Sequence, residues 1–482
     1  MGDKERFVSE ITPKSEDFSR WYVDVIRKTE LADYSPVKGC MVIRPYGYAL
    51  WENARNGLDR RLKESGHQNA YFPLFFPESF LKKEAEHVEG FAPQVAWITQ
   101  GGDEKLEERL AIRPTSEAII CSMYAKWIRS WRDLPLLINQ WANVVRWEKV
   151  TRLFLRTTEF LWQEGHTVHC TEEEAEEETL KILDIYQDFL EEDLAIPVIK
   201  GIKSESEKFA GALRTYCVEA LMSDGKALQA GTSHNLGQRF SRAFDIKFED
   251  RDQQIKYAWQ TSWGVSTRLI GAIIMTHGDD SGLILPPKIA SIQVIIIPIP
   301  AKDWQTKVLP IAQQILQDLK SVGIRAQLDD RESYTPGWKF SDWEMRGVPV
   351  RLEIGLKDVA KNQVLMVRRD RGDKSPLSLE ELTTKLPALL EEIQESVFQR
   401  ALEFREKNTR QVESFDEFKD IIKNKGGFLV SYWCGDDQCE AKIKQETAAT
   451  IRCIPFEQPS QQGKCIFCGG LAKSKAYFAK AY

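Results

Sequence analysis

Five of the nine cysteines in this 482-residue chain fall between positions 434 and 468. Four of them form two close pairs, Cys434-x4-Cys439 and Cys465-x2-Cys468, with 25 residues between the pairs. No other feature constrains the folded chain as tightly, because a span that folds back can bring both pairs around one tetrahedral ion. Soft thiolate ligands favour zinc. Gly435 follows the first cysteine and Gly469-Gly470 follow the last, which permits the tight turns that knuckles need. The fifth, Cys453, lies beside Ile454-Pro455 and reads as structural, while Cys40, Cys121, Cys170 and Cys217 are scattered. In a reducing compartment such crowding points to metal rather than disulfide, with four free thiols as the alternative. A closed set of four ligands leaves no coordination position open. Cys434, Cys439, Cys465 and Cys468 therefore predict a structural Zn2+ site and are almost silent about function.

The whole chain is 42% hydrophobic and 29% charged, an ordinary globular composition, and its length suggests about three domains. No run of about 18 apolar residues appears, so no membrane span is expected. Met1 to Arg6 lacks the apolar core of a secretory signal, which makes the cytoplasm the expected compartment. With a net charge of -6, any nucleic-acid contact must come from local basic patches.

Apolar periodicity predicts a helix from Asp17 to about Thr29 and another from Tyr48 to Glu64, stopped by Ser65-Gly66. Ala70 to Phe75 reads as an edge strand because it carries Pro73. Leu136 to Val145 and Leu153 to Phe160 read as hairpin arms around a charged turn, and Thr171 with Glu174 as a capping box. Strands from Ala227 to Phe248 and a strand-to-helix segment from Tyr257 to Thr276 complete an α+β unit of antiparallel strands.

From Ser291 the texture changes. Ile292 to Ile299, Ile324 to Leu328, Val348 to Ile354 and Gln363 to Val367 read as strands. Asp303 to Val322 reads as a helix that must tolerate Pro310, and Ser378 with Glu381 as the cap of a closing helix. This predicts a compact α/β domain. A charged helix through Glu403 to Lys407 leads into the cysteine-rich tail. The expected units are 1–288, 289–400 and 401–482.

Three stretches suit polyanion and carboxylate chemistry, and each has a plainer reading alone. Arg113-Pro114-Thr115-Ser116-Glu117 presents a hydroxyl and a carboxylate two residues apart, or simply caps a helix. Arg146-Trp147-Glu148 on a hairpin offers a rigid guanidinium fork for phosphate with a carboxylate on the same side of the pleat, or a surface ion pair. Thr261 to Arg268 is a small-residue strand ending in an arginine at a helix start; Gly264 admits a flat ligand, or serves packing only.

In this order the stretches resemble motifs 1, 2 and 3 of the class II aminoacyl-tRNA synthetases, at Gly66–Phe75, Arg146–Phe160 and Gly264–Arg268. The resemblance is closest to the prolyl-tRNA synthetases of archaeal/eukaryotic type and covers essentially the whole chain. Its specific marks are Arg113 to Glu117, Phe160 to His166, Ala230 to His234, Pro336-Gly337-Trp338-Lys339, the cysteine tail and the closing Ala481-Tyr482.

The resemblance implies a homodimer that activates L-proline with ATP and Mg2+, then charges tRNA(Pro). It implies an antiparallel catalytic domain, an anticodon-binding domain and a zinc-binding α+β tail. Arg146 and Arg268 take the catalytic roles, Arg146 bridging the α-phosphate and the proline carboxylate. Thr115, Glu117, Trp162, Glu164, His166, Phe209 and His234 surround proline; Glu148, Arg156, Thr157, Thr158, Phe160, Gln229, Thr232 and Ser266 hold the nucleotide. Lys339, Arg351, Glu353, Lys357 and Asp358 read the anticodon, and Arg368-Arg369-Asp370-Arg371 is either a phosphate contact or a solvated hairpin. Tyr482 returns toward the active site, and His67, His87, His169 and His277 are structural. Phe160 to Thr261 is too short for the editing domain inserted in bacterial-type relatives, so no cis-editing is expected; deacylation of alanyl-tRNA by the purified chain would contradict this. The rivals are a synthetase for another amino acid, such as threonine, and a catalytically silent tRNA-binding paralogue.

Overall fold

The computed structural model describes residues 11–85, 95–461 and 463–482. Helix α1 (Phe18–Lys28) starts at Asp17, whose carboxylate accepts from the N–H groups of Ser19 and Arg20. It buries Trp21, Tyr22, Val25 and Ile26 completely. Burying apolar side chains contributes about 1.5–3 kcal/mol each, enough to hold a helix this short on the core. Helix α2 (Pro45–Glu64) opens on a proline, whose missing N–H is no loss in the first turn. The edge strand expected at 70–75 is instead two short pieces, β1 (Gln68–Asn69) and a strand at Phe75–Pro77, on either side of Pro73. Pro73 has no N–H to give a ladder, and the chain changes sheet there.

After helix α3 (Glu117–Trp127) come the strands of the main sheet: β2 (Leu136–Val145), β3 (Glu159–His169), β4 (Val198–Ile202), β5 (Arg214–Leu221), β6 (Ala227–Gly237) and β7 (Trp259–Ser266). With β1 they form a seven-stranded sheet in the order β1-β2-β3-β7-β6-β5-β4. All neighbours are antiparallel except β1 and β2. The second hairpin arm begins at Glu159, not Leu153. Leu153, Phe154 and Leu155 are buried in the connecting loop, so their apolar run signalled burial rather than pairing. Helix α4 (Glu172–Asp188) is capped by Thr171, which accepts from Glu174 N–H at 3.2 Å; the Glu174 carboxylate reaches Cys170 N–H at 2.9 Å instead of completing the expected box. α4 covers one face of the sheet, where Tyr186 Oη donates to Gln163 at 2.7 Å. Helix α5 (Arg268–His277) follows β7 directly.

The middle unit is a mixed five-stranded sheet of β8 (Val294–Pro298), β9 (Ala326–Leu328), β10 (Val350–Ile354), β11 (Gln363–Arg368) and β12 (Lys374–Ser378), in the order β9-β8-β10-β11-β12. The helix expected over 303–322 breaks at Val308 into Trp304–Lys307 and α6 (Leu309–Ser321), because Pro310 fits only in a first turn. Helix α7 (Pro336–Met345) follows β9. The closing helix and the charged helix are one element, α8 (Leu382–Lys407), so a continuous helix crosses position 400. Ser378 precedes a 3-10 turn and makes no side-chain cap bond.

The tail folds as β13 (Thr409–Gln411), β14 (Phe428–Trp433), helix α9 (Asp437–Thr447), β15 (Thr450–Cys453) and β16 (Ser474–Ala479), in the sheet order β13-β14-β16-β15. It docks on the free edge of the main sheet, where Ile202 and Ile454 exchange backbone hydrogen bonds of 2.9 and 2.8 Å. Gly201 permits this approach, since a Cβ there would lie 2.3 Å from the Ile454 carbonyl oxygen. No helix among the described residues is long and apolar enough to cross a membrane.

Candidate active site

Strand alternation assembles the site on the sheet face opposite α4. Thr215, His234, Ser262 and His166 are register neighbours across β5, β6, β7 and β3, and the next row holds Cys217, Thr232, Gly264 and Glu164. Ser266 then pairs with Trp162. Period two places Phe160, Trp162, Glu164 and His166 on that face together with Ser262, Gly264 and Ser266. A bulge recruits Gln229: Val218 pairs with Gly231 but Glu219 pairs with Gln229, so Ala230 is the extra residue and the parity of β6 shifts.

Two cavities open on this surface. One, of about 290 Å³, is lined by Thr115, Glu117, Trp162, Glu164, His166, Phe209, Gln229, Thr232 and His234, among others. The second, of about 300 Å³, is lined by Glu148, Arg156, Thr157 and Tyr482, among others. They share Arg146, Phe160, Ser266 and Arg268, so the two predicted catalytic arginines stand at the junction.

The electrostatics of that junction call for an anion. Arg146 lies one residue beyond β2 rather than on the strand, and its N–H donates to the Thr158 carbonyl at 2.8 Å. Its Nε donates to the Pro114 carbonyl at 3.0 Å, while the guanidinium sits 5.5 and 5.3 Å from the Phe160 and Trp162 ring centres. Arg268 Nε donates to the Leu155 carbonyl at 3.2 Å. Among the described residues neither arginine makes an ion pair, so their terminal nitrogens remain available. Burial lowers the pKa of both; Arg146 adds to the lowering at Arg268, whereas Glu117, Glu164 and Glu148 oppose it at Arg146. Two cations held close enough to repel each other, with no carboxylate partner of their own among the described residues, are a preorganised receptor for phosphate oxygens.

The deep end of the first cavity is a polar network. Arg113 is buried and donates to Asn143 O and Phe72 O, both at 2.7 Å, which pins the turn preceding α3. Thr115 Oγ1 donates to Glu117, and Ser116 Oγ to Glu164. Glu164 also accepts from Gln140 Nε2 at 2.8 Å, Ser116 N–H at 3.2 Å and His166 Nε2 at 3.0 Å. Burial disfavours charge on His166, but the Glu164 hydrogen bond and the Glu117 and Glu164 charges outweigh it and raise its pKa. Burial likewise opposes the Glu164 charge, and His166 with the hydroxyl and amide donors wins, so its carboxyl titrates low. His234 goes the other way, pushed down to about 3 by burial and by His166, and is neutral at physiological pH. Glu117, Glu164 and His166 offer ligand atoms within 4.8 Å of one another, yet four donors already satisfy Glu164. The group is better suited to a substrate ammonium than to a metal.

The cavities gather every predicted proline and nucleotide residue except Thr158. Thr158 packs its hydroxyl against Gly39, to whose carbonyl its N–H donates at 2.8 Å, so its backbone rather than its side chain serves Arg146. Glu148 pairs with Arg156 at 2.7 Å off the sheet, because the strand ends before it. Thr215, Ser262 and Glu207 also line the first cavity and were not foreseen. Ser262 was within reach of the alternation that marks Gly264 and Ser266. Glu207 lies in an irregular segment without a pattern. Tyr482 returns as predicted, its phenol donating to Asp224 at 2.6 Å and its ring 5.6 Å from the Arg152 guanidinium. His67, His169 and His277 are buried, and His87 lies outside the described residues.

In the middle unit, Arg351 pairs with Glu353 at 2.9 Å, Lys374 reaches the same carboxylate at 3.4 Å, and Arg351 and Lys374 line a cavity of about 110 Å³. Lys357 and Asp358 lie in the short helix Leu356–Val359, where Asp358 accepts from Gly355 N–H. Lys339 is a correction: it is 2% exposed, and its amine donates to the Asp329 carbonyl at 3.0 Å and faces the Asp329 carboxylate at 3.6 Å, so it is held inside the unit rather than at a surface a base could reach. The basic run forms the turn of the β11–β12 hairpin with Arg371 exposed, but its first two arginines are engaged within the protein. Arg368 pairs with Asp370 and Glu392, and Arg369 with Asp279. In the tail, the Sγ atoms of Cys434, Cys439, Cys465 and Cys468 lie within 4.8 Å of one another, with Gly435 and Gly469 at positive φ in the two turns.

Three family models match the chain: the tRNA synthetase class II core domain (G, H, P, S and T) over 97–277, an anticodon binding domain over 293–389, and the C-terminal part of prolyl-tRNA synthetase over 415–482. Fold and cavities together define a class II aminoacyl-tRNA synthetase. The proline–tRNA ligase of Natranaerobius thermophilus is 62% identical over 482 residues, covering 100% of this chain and 99% of the relative. Proline–tRNA ligase 2 of Clostridioides difficile is 58% identical over 480 residues, covering 100% and 99%. A crystal structure of prolyl-tRNA synthetase from Cryptosporidium parvum, complexed with halofuginone and AMPPNP, matches with a TM-score of 0.94 at 45% identity, covering 98% of this chain and 99% of that one. The chain belongs to the prolyl-tRNA synthetase, or proline–tRNA ligase, family.

Proposed function

We propose that this chain joins L-proline to ATP, releasing pyrophosphate, and passes the prolyl group from the adenylate to the 3′ end of tRNA(Pro). The observation that carries this reading is the pair of arginines, without ion pairs among the described residues, where two cavities meet. Attack of a carboxylate on the α-phosphorus sets negative charge against negative charge, so positioning and positive charge are what the protein must supply. Arg146 faces both cavities and bridges the carboxylate and the α-phosphate. Arg268 takes the outer phosphates, Phe160 stacks on the adenine, and Glu148 holds its amino group with Arg156 beside it. Gln229, Thr232, Ser266 and Thr157 contact the nucleotide. Mg2+, arriving with ATP, would be held chiefly by the phosphates and would offset part of their charge.

Thr115 and Glu117 receive the secondary ammonium of proline, and Trp162, Phe209 and His234 enclose its ring. Glu164 and His166 act as a satisfied floor. Proline-dependent exchange of pyrophosphate into ATP tests the reading; exchange with threonine instead, or none, would favour a rival.

The absence of cis-editing is supported by the path from Phe160 to Thr261, which is taken up by β3 to β7, the helices and short strands packed with them, and the short segments that join them. The catalytic, anticodon-binding and tail units are proposed at 1–288, 289–400 and 401–482, with α8 as the rigid link between the last two. Arg351, Glu353, Lys357 and Asp358 remain the proposed anticodon readers. A second copy of the chain is proposed to cover the exposed Tyr71 and Phe75, which are 72% and 45% accessible. Sedimentation should then give twice the 55.4 kDa chain mass, and a monomer would exclude it. The cytoplasm is the proposed compartment, and a secreted product would contradict it.

The cysteine set fits tetrahedral zinc, with four soft donors at one point and no open position. The ion would hold β14, α9 and the Cys465–Cys468 turn together. Cys465→Ser is expected to lose about one equivalent of bound zinc and to lower the melting temperature. Unchanged stability with no metal in the wild-type chain would exclude the site.

A further inference from the structure

The wall of the proline cavity is built on a segment with little structure of its own. Residues 203–213, between β4 and β5, are turns and irregular chain, yet they carry Phe209 and Glu207. The Phe209 ring lies 4.8 Å from that of His234, and its N–H donates to Thr215 Oγ1 at 3.0 Å. Ser204 is the pivot of the segment, its carbonyl accepting from the N–H groups of Glu207 at 3.2 Å and Lys208 at 3.0 Å.

What fixes Ser204 comes from the tail. Its hydroxyl donates to Glu440 Oε1 at 2.8 Å, in a contact where Ser204 is 3% and Glu440 5% exposed. Lys444, one turn further along α9, pairs with Glu207 at 3.2 Å. Lys203 Nζ donates to the Arg452 carbonyl at 2.7 Å, just outside the paired Ile202 and Ile454. Every one of these partners belongs to the tail, and none of residues 203–213 lines the second cavity, which the tail reaches through Tyr482 instead. Glu440 follows Cys439 directly on α9, so the helix that carries a cysteine of the proposed metal set also grips the pivot.

We propose that Glu440 is a positioning residue for proline recognition: through Ser204 it sets the turn that presses Phe209 and Glu207 against the amino-acid cavity. This contact thereby tunes proline affinity while leaving ATP affinity alone. This rests on the first cavity being the proline site. Water cannot replace the bond in so enclosed a contact, and one buried hydrogen bond to a carboxylate suffices for a roughly tenfold change.

The test is pyrophosphate exchange with purified full-length protein, varying proline and ATP separately. Glu440→Ala should raise KM for proline about tenfold and leave kcat and KM for ATP within about twofold. Glu440→Gln keeps an acceptor for the Ser204 hydroxyl and should restore KM for proline to within about threefold of wild type. Ser204→Ala, which removes one hydroxyl and serves if Glu440→Ala fails to fold, should match the Glu440→Ala effect. The double variant should be no worse than either single one. An unchanged KM for proline in Ser204→Ala, or equal losses of proline and ATP affinity not rescued by glutamine, would overturn the proposal. A wild-type chain that exchanges no pyrophosphate with proline would instead remove the reading beneath it.

Discussion

Arg146→Ala is expected to reduce proline-dependent adenylate formation about 10³-fold, with tRNA binding largely intact. A single hydrogen-bond donor aimed at developing charge is typically worth about 10²–10³ in rate, and Arg146 has its terminal nitrogens free. They sit where the two cavities join, so the substitution removes both the bridge between the substrates and the charge that offsets their repulsion. The substitution should not cost stability. Arg146 sits close enough to Arg268 to lower its pKa, and it makes no ion pair among the described residues. An unchanged or slightly higher melting temperature beside the lost activity would mark a residue strained for function. Arg146→Lys should rescue little, because an ammonium offers no planar fork. Loss of folding and tRNA binding together would make Arg146 structural.

The largest stability effect is expected at Glu219, a carboxylate with no exposure at all. Lys203 Nζ meets its Oε1 at 2.7 Å, and Arg452 reaches both oxygens at 2.9–3.1 Å from the tail. Glu219→Leu leaves two buried cations facing each other, and breaking a buried pair in this way costs about 3–5 kcal/mol. Undocking of the tail should follow, visible as a lower melting temperature and as proteolysis between the catalytic sheet and the tail. Burial pushes the Glu219 carboxyl up, but Lys203 and Arg452 outweigh it and hold the pKa below the usual carboxylate range. The sign follows. The stabilisation is fully present above the unfolded carboxylate pKa of about 4.3 and is lost as pH falls through the lower folded value. Replacing all three residues by apolar ones of similar volume should recover much of the loss. A Glu219→Leu protein as stable as wild type would show that the triad contributes no net stability.

Much of this architecture was legible from residues alone. Alternation from Phe160 to His166 and from Ser262 to Ser266 is a local signal, and the sheet preserves it as neighbouring rows. The tail announced itself through cysteine spacing. Legibility ended where the cause is tertiary. Leu153 to Leu155 looks like a strand because burial in a loop and burial in a sheet leave the same apolar run. Lys339 looks like a base reader until Asp329, ten residues upstream, is seen to hold it. Gln229 enters the site only through a bulge opposite Glu219, and the register slip leaves no mark in the composition of β6. The grip of Glu440 on Ser204 spans 236 positions and has no sequence signature.

The most direct test is pyrophosphate exchange into ATP with proline, threonine or no amino acid, run on wild type and Arg146→Ala side by side. Exchange is expected with proline alone, in the wild-type protein alone. Exchange driven by threonine, or persisting undiminished without Arg146, would contradict the assignment of these two cavities.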